Sequence, residues 1–329
     1  MKALVTGGGG FLGRAVCQNL IGRGASVRSF SRGRYPELEK LGVDCLQGDV
    51  ADAESLSRAA KHCDVVFHVA AKVGLWGRYA DFHQANVVGT RNVLQACRKA
   101  GVSRLVFTGS PSVVFDGGDV EGWNESAPYP GRFDSFYSQT KAAAEKLVLE
   151  ANGPALATVS LRPHLVWGPG ENHIVSRIVA QGRSGKLRRI QGFDKLVDTT
   201  YIDDAAEAHA LAAEKLAETP KIGGKAYFIS QGEPRPLWDI VNGILKAAGV
   251  TPVTKSVPKR AALAAATLFE SSYRLLGLQT EPRLTRFLVS QLSTAHWFDI
   301  TAARRDLGYQ PKVSIEEGLT RLTRWFQPA

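Results

Sequence analysis

Tyr137 and Lys141 lie four residues apart in Tyr137-Ser138-Gln139-Thr140-Lys141, a spacing that sets a phenol and an amine on one face of a helix. A free tyrosine titrates near ~10 and seldom loses its proton at neutral pH. A neighbouring ammonium, and the positive charge of a nicotinamide, favour phenolate and make the phenol a proton-transfer group. Lys141 can also hold the nicotinamide ribose. Ser110, just past an apolar run, would hydrogen-bond the reacting oxygen and stabilise its developing charge.

These groups need a dinucleotide beside them, and the N-terminus offers a place for one. In Thr6-Gly7-Gly8-Gly9-Gly10-Phe11-Leu12-Gly13 two patterns overlap, Gly8-x-Gly10-x-x-Gly13 and Gly7-x-x-Gly10-x-x-Gly13. Gly7, Gly10 and Gly13 permit a tight turn and a close approach to pyrophosphate, while Phe11 and Leu12 open a helix with free N–H groups. An NAD site would place an acid after the second strand. Here Ser31-Arg32-Gly33-Arg34 stands there and the first acid is Glu37. Arg32 pairs with a 2′-phosphate in this reading and Ser31 donates a hydrogen bond, which favours NADP(H) over NAD(H). Asp49 and Val50 would flank the adenine, and Ala70-Ala71 would let the chain pass close to the cofactor. Asp49 serves equally well as the N-cap of the next helix.

The elements that must position these residues are strands at Ala3–Thr6, Ser26–Phe30, Val43–Gln47, Val65–Val69, Leu105–Thr108 and Ala157–Leu161. Helices at Phe11–Arg23, Phe82–Ala100 and Phe136–Glu150 alternate with them. The alternation predicts an α/β fold with a doubly wound parallel sheet. After Pro163 the pattern loosens. Helices are predicted near Ile174–Gln181, Asp203–Glu218, Leu237–Gly249 and Ile315–Phe326, with a strand at Ala226–Ser230. Residues 1–165 read as the NADP-binding domain and 166–329 as mainly a smaller substrate-binding domain, some later segments returning to the sheet. The alanine-rich stretch Ala261–Leu278 is amphipathic, suited to packing, a partner surface or shallow membrane contact.

With 329 residues, 44% hydrophobic and 22% charged, the chain is of ordinary globular composition, which excludes disorder, collagen and coiled coil. No run of about 18 uninterrupted apolar residues predicts a membrane span, and the glycine-rich start does not resemble a signal peptide. Cys17, Cys45, Cys63 and Cys97 have no CxxC spacing. They read as buried reduced thiols of a cytoplasmic protein without a metal site. The net charge of +10 concentrates in two acid-free stretches, Met1–Pro36 and Asn172–Phe193. The first suits phosphates. The second is either solvated surface or an attraction for an acidic substrate or lipid. No nucleic-acid-binding signature accompanies them.

The glycine loop, Ser110 and the Tyr137/Lys141 pair together resemble the extended short-chain dehydrogenases/reductases over nearly the whole chain. Three segments resemble their 3β-hydroxysteroid dehydrogenase branch: Gly109–Val113, Leu161–Gly170 and Leu196–Asp203. His68–Gly77, Thr285–Val289 and His296-Trp297 are similar to the 2-alkyl-3-oxoalkanoate reductases of bacterial long-chain olefin biosynthesis. The resemblance implies a Rossmann domain with a substrate cap, Pro163 among the cofactor contacts, and NADPH-dependent reduction of a hydrophobic β-keto acid with Tyr137 as proton donor. It leaves two alternatives open: a 3β-hydroxysteroid(-4α-carboxylate) dehydrogenase and a sugar-nucleotide epimerase or reductase. It also implies a homodimer and partner enzymes of an olefin pathway. Gly109 replaces a hydroxyl residue often found at its position, leaving Ser110 as the catalytic hydroxyl and Ser112 as the fallback. For the substrate carboxylate the candidate cations are Lys72, Arg78, Arg162 and the Arg177–Arg189 group. His164 and Trp167 either line the pocket or pack in the core. Asn86 either holds active-site backbone or lies on a helix surface. Phe115 and the loop Asp116–Asp119 could edge the substrate.

Overall fold

The computed structural model describes residues 1–191 and 195–327; Gly192 and Phe193, the end of the second basic stretch, lie outside them. Seven parallel strands form the main sheet: β1 (Lys2–Thr6), β2 (Ser26–Ser31), β3 (Asp44–Gln47), β4 (Val65–His68), β5 (Arg104–Thr108), β6 (Ala157–Pro163) and β7 (Lys225–Ile229). Their order is β7-β6-β5-β4-β1-β2-β3. The strand predicted near Ala226–Ser230 is thus the far edge, reached only after the chain has left the sheet at Pro163.

Alternate residues of the central strands feed different cores, as the two-residue repeat of a strand requires. Ala3, Val5 and Phe67 face one cluster with Val16 and Leu20 of α1 (Phe11–Gly22). Leu4, Val66 and Phe107 face the other, with Val93 and Leu94 of α2 (Gly89–Ala100) and Val148 of α3 (Phe136–Glu150). The first layer is completed by α4 (Ile202–Glu218), which packs along α1, β5 and β6. Gly13 is the point where α1 closes on its strand: a Cβ there would come within 2.1 Å of the Gly7 carbonyl oxygen.

The helix predicted over Phe82–Ala100 is not uniform. One turn spans Tyr79–Phe82, His83–Val88 is π-helical, and only then does α2 begin. The wider turn directs Asn86 inward, so that it is buried. Asp49 does not cap the following helix. Asp52 does, accepting from the Glu54 and Ser55 N–H groups, while Asp49 accepts from Ala51 N–H in the preceding turn. Cys17, Cys63 and Cys97 are buried free thiols, but Cys45 is partly exposed, because β3 is an edge strand.

A second, four-stranded sheet joins Val120–Trp123, His296–Phe298, Leu196–Val197 and Arg235–Pro236. Helices at Ile174–Arg183, Leu237–Ala247 and Ile315–Phe326 form a separate core around Trp238, Ile244 and Leu322, while Val120 and Phe298 pack into the first cluster. The amphipathic stretch forms α5 (Lys259–Leu275). Among the described residues no helix is long and apolar enough to cross a membrane, and no His/Cys/Asp/Glu cluster could hold a metal ion.

Candidate active site

One cavity of about 1680 Å³ runs over the carboxyl ends of β1 to β6, where the strand order reverses between β1 and β4. Such a crevice is where open α/β sheets bind ligands. At its β1 end the N-terminus of α1 is uncapped: Gly10 offers no side chain and no acid lies in the first turn. The amides of Phe11, Leu12 and Gly13 therefore lack an intrahelical partner, and all three residues face the cavity. This uncapped cradle fits a dinucleotide pyrophosphate. Gly7, the other loop glycine (φ 72), packs so tightly on Ala70 that a Cβ would come within 2.8 Å of the Ala70 Cα.

Ser31, Arg32, Asp49, Val50, Ala70, Ala71 and Pro163 line the same cavity. Arg32 is exposed, with Gln47 bonded to its carbonyl. Glu37, the first acid after β2, is paired with Arg14 at 2.9 Å and does not line the cavity. The Ser31 hydroxyl accepts the Gly9 N–H at 3.2 Å. Tyr35, which the sequence reading passed over, lies across Gly9, where a Cβ would strike its ring. Nothing in its local sequence signals that role.

At the other end, α3 is capped by Ser135, whose hydroxyl accepts the Ser138 N–H, and this sets the helix phase that points Tyr137 and Lys141 into the cavity. Desolvation raises the Tyr137 pKa, and a hydrogen bond from Ser110 opposes the rise. Ser110 also accepts the Ser112 N–H at 3.3 Å, and the two hydroxyls lie 2.9 Å apart. Lys141 is buried, donating to the Thr108 carbonyl at 2.5 Å with its ammonium over the Phe107 ring. Burial pulls it down to about 7, against the charge of Glu145 one turn on.

Arg162 is not a substrate cation. It is buried and paired with Glu145 at 2.6 Å, a carboxylate that also accepts from Tyr129 and Ser160 at 2.7 Å each. Burial pushes the Glu145 carboxyl up, but Arg162 and these donors hold it net below its ordinary range. The network explains Gly109: a Cβ there would come within 2.7 Å of both the Glu145 carboxylate and the Ser160 hydroxyl. A hydroxyl side chain has no room.

Arg78 is exposed and bonded to Asp81, outside the cavity. Lys72, Arg177, Lys186 and Arg188 line it and Arg183 and Arg189 do not. Arg177 is paired with Glu281, and the Lys72 ammonium lies over the Phe82 ring. Asn86 holds backbone, accepting the Lys72 N–H at 2.7 Å and donating to the Lys72 carbonyl at 3.1 Å and to Thr140 at 3.0 Å. Trp167 packs edge-on against Tyr201, away from the cavity. His164 and Phe115 line it, and the loop Asp116–Asp119 does not.

A buried relay at the end of β4 had no sequence signal. Ala70 N–H donates to Thr6, which lies 2.8 Å from His68 Nδ1; His68 Nε2 lies 2.9 Å from Thr90, and Thr90 donates to the Asn86 carbonyl. These bonds close with a neutral ring protonated at Nε2. Burial, and then the charge of Lys141, pull His68 down to about 3. The relay ties the glycine-loop strand to the backbone beside Lys72.

Residues 4–259 match the 3-beta hydroxysteroid dehydrogenase/isomerase family. The chain is 51% identical over 328 residues to a 2-alkyl-3-oxoalkanoate reductase of Shewanella oneidensis, covering 97% of this chain and 85% of that one. It is 50% identical over 324 residues to a 2-alkyl-3-oxoalkanoate reductase of Stenotrophomonas maltophilia, with 98% of each covered. The solved UDP-glucose 4-epimerase of Thermus thermophilus, in complex with NAD, superposes with a TM-score of 0.75 at 26% identity over the whole of both chains. The cavity at the strand ends and these likenesses make the chain an NAD(P)-dependent oxidoreductase of the extended short-chain type. It belongs to the 3-beta hydroxysteroid dehydrogenase/isomerase family.

Proposed function

We propose that this protein uses NADPH to reduce the ketone of a 2-alkyl-3-oxoalkanoate to the 2-alkyl-3-hydroxyalkanoate. The observation that carries the reading is the convergence of Tyr137, Ser110 and Lys141 on one cavity with the uncapped start of α1. The nicotinamide, when bound, supplies the hydride. Tyr137 gives its proton to the ketone oxygen, Ser110 hydrogen-bonds that oxygen, and the Lys141 ammonium stabilises the phenolate left behind. Gly7, Gly10, Phe11, Leu12 and Gly13 hold the pyrophosphate, Asp49 and Val50 border the adenine, and Ala70, Ala71 and Pro163 pass along the cofactor.

NADPH rather than NADH is favoured by Arg32, exposed at the end of β2 with no acid beside it free to bind ribose hydroxyls. Arg32→Ala is expected to weaken NADPH far more than NADH; an equal loss defeats the 2′-phosphate reading. Residues 1–165 act as the cofactor half and 166–329 mainly as the substrate half. The protein works in the cytoplasm as a homodimer, alongside other enzymes of an olefin pathway. Its peripheral contact with lipid runs through α5, where Leu268 is exposed beside Ala265 and Phe269 of the cavity wall.

The test is NADPH consumption with 2-alkyl-3-oxo acids, 4α-carboxysterols and UDP-sugars side by side. Turnover confined to the oxo acids is the expected result. Turnover of a carboxysterol or UDP-sugar alone overturns it.

A further inference from the structure

Two histidines on the cavity wall take no part in the proton transfer assigned to Tyr137, and their hydrogen bonds do not close with neutral rings. His164 directly follows β6 and His296 opens the strand His296–Phe298; both are buried and both line the cavity. His164 Nδ1 lies 2.5 Å from Asp198 Oδ1. An ionised carboxylate only accepts, so this nitrogen carries a proton. The other Asp198 oxygen accepts the Phe298 N–H at 3.0 Å. His296 Nε2 lies 2.8 Å from the Gln291 carbonyl oxygen, which demands a second N–H. His164 Nε2 and His296 Nδ1 then face each other at 3.2 Å. Two lone pairs repel at that distance, so one further proton sits between them and the pair carries one positive charge beside Asp198.

The backbone is spent on holding this ring. Leu165, the next residue, has φ 41, a left-handed conformation that is costly for a bulky side chain and concentrates at functional positions. The Thr200 hydroxyl bonds both the His164 N–H, at 3.2 Å, and the His164 carbonyl, at 2.8 Å. Strand register sets Thr108 beside Leu161. Ser110 follows β5 and His164 follows the adjacent β6, and both line the cavity. In a β-keto acid the carboxyl carbon is only two bonds from the ketone carbon. Whatever receives the carboxylate must stand next to the hydroxyl that receives the ketone oxygen. Of the other named cations, Arg162 pairs with Glu145, Arg177 with Glu281 and Arg78 with Asp81, and Lys72 lies over an aromatic ring, while Lys186 and Arg188 line the cavity away from β5 and β6 in the chain.

Resting on the ketone reduction proposed above, we propose that the His164–His296 pair is the subsite for the substrate carboxylate and selects β-keto acids over ketones that lack the acid. The facing nitrogens, His164 Nε2 and His296 Nδ1, turn to the incoming carboxylate. One proton is taken up from water as the acid binds, which keeps the pair, Asp198 and the substrate together neutral. The charged and titratable groups around the pair are Asp198, Asp119, which accepts the Ala295 N–H and pairs with Lys195, and Tyr309, which feels the Asp198 charge. In the free protein burial, and then the charge of His164, pull His296 down to about 3.

The experiment compares, in the oxidative direction with NADP⁺, a 2-alkyl-3-hydroxy acid and the secondary alcohol that lacks its carboxyl group. His296→Phe and Asp198→Asn are measured beside the unaltered protein, with NADPH affinity by fluorescence titration as the check on folding. The expected result is a fall of about tenfold or more in the acid-to-alcohol ratio of kcat/KM, the scale of a lost hydrogen bond to a charged group. In the unaltered protein that ratio also falls as pH rises, through KM for the acid. An unchanged ratio in either variant with intact NADPH affinity overturns the subsite and leaves the ketone reduction standing. An unaltered protein that oxidises neither compound overturns both.

Discussion

Under the floor of the cavity, which Lys141 lines, Glu145, Arg162 and His68 are buried as well, and each of the four is answered by groups from other parts of the fold. On α5, the helix whose Ala265 and Phe269 form part of the cavity mouth, and on the turn after it, Leu268, Leu275 and Leu276 are 70%, 88% and 68% exposed. The same segment is basic: between residues 252 and 297 it carries Lys255, Lys259, Arg260, Arg274, Arg283 and Arg286 against Glu270 and Glu281. The floor is a low-dielectric network in which losing one partner strands another. The exposed leucines there add little to the core, and the lipid contact proposed above gives them a partner. Substitutions at the floor should therefore register in turnover and stability, and substitutions at the mouth only in assays that include a lipid surface.

The largest effect is expected from Tyr137→Phe. Turnover should fall by about 10²–10⁴, the worth of a general acid, while fluorescence titration shows NADPH binding retained; unchanged turnover removes Tyr137 from the reaction. Next comes Arg162→Met, which leaves the Glu145 carboxylate buried without its cation. A loss of about 3–5 kcal/mol is expected in denaturant unfolding. A loss under about 1 kcal/mol would show that Tyr129 and Ser160 suffice for Glu145.

Gly109→Ser should cost about 1–3 kcal/mol through overpacking against Glu145 and Ser160, read as a lower Tm. A stable serine variant would mean that Glu145 can move aside. A smaller effect follows from Lys141, held at about 7 by burial. As pH rises through that value the ammonium is lost and the phenolate loses its stabilising charge. Reductive kcat/KM should fall above pH about 7, and a profile flat to pH 9 would place this titration outside catalysis. Least of all, Leu268→Ser should change stability by no more than about 0.5 kcal/mol yet reduce co-sedimentation with anionic vesicles. Equal co-sedimentation before and after would make the exposed leucines irrelevant to lipid.

The same division runs through what could be read without coordinates. Tyr137 and Lys141, the glycine turn and the strand–helix alternation are local patterns, governed by helix and strand periods, and they carried the sheet and the loop that opens α1. Asn86 carried a signal too weak to choose between backbone support and a helix surface, because the π-helical turn that buries it alters the expected helical phase. Arg162 read as a free cation because its partner, Glu145, lies on the helix before β6. Only docking of that helix on the sheet closes the pair.

By itself, the order of residues determined most of the parallel sheet, the glycine turn and the phenol–amine pair on one helix, since neighbours within a turn or strand settle those. Tertiary structure alone decided which charges are paired and which partners the buried histidines meet. His68 meets Thr6 across 62 residues and His164 meets His296 across 132. Burial removes the water that would otherwise satisfy each group, so a proton's position depends on partners that come close only once the sheet and its cap have packed together.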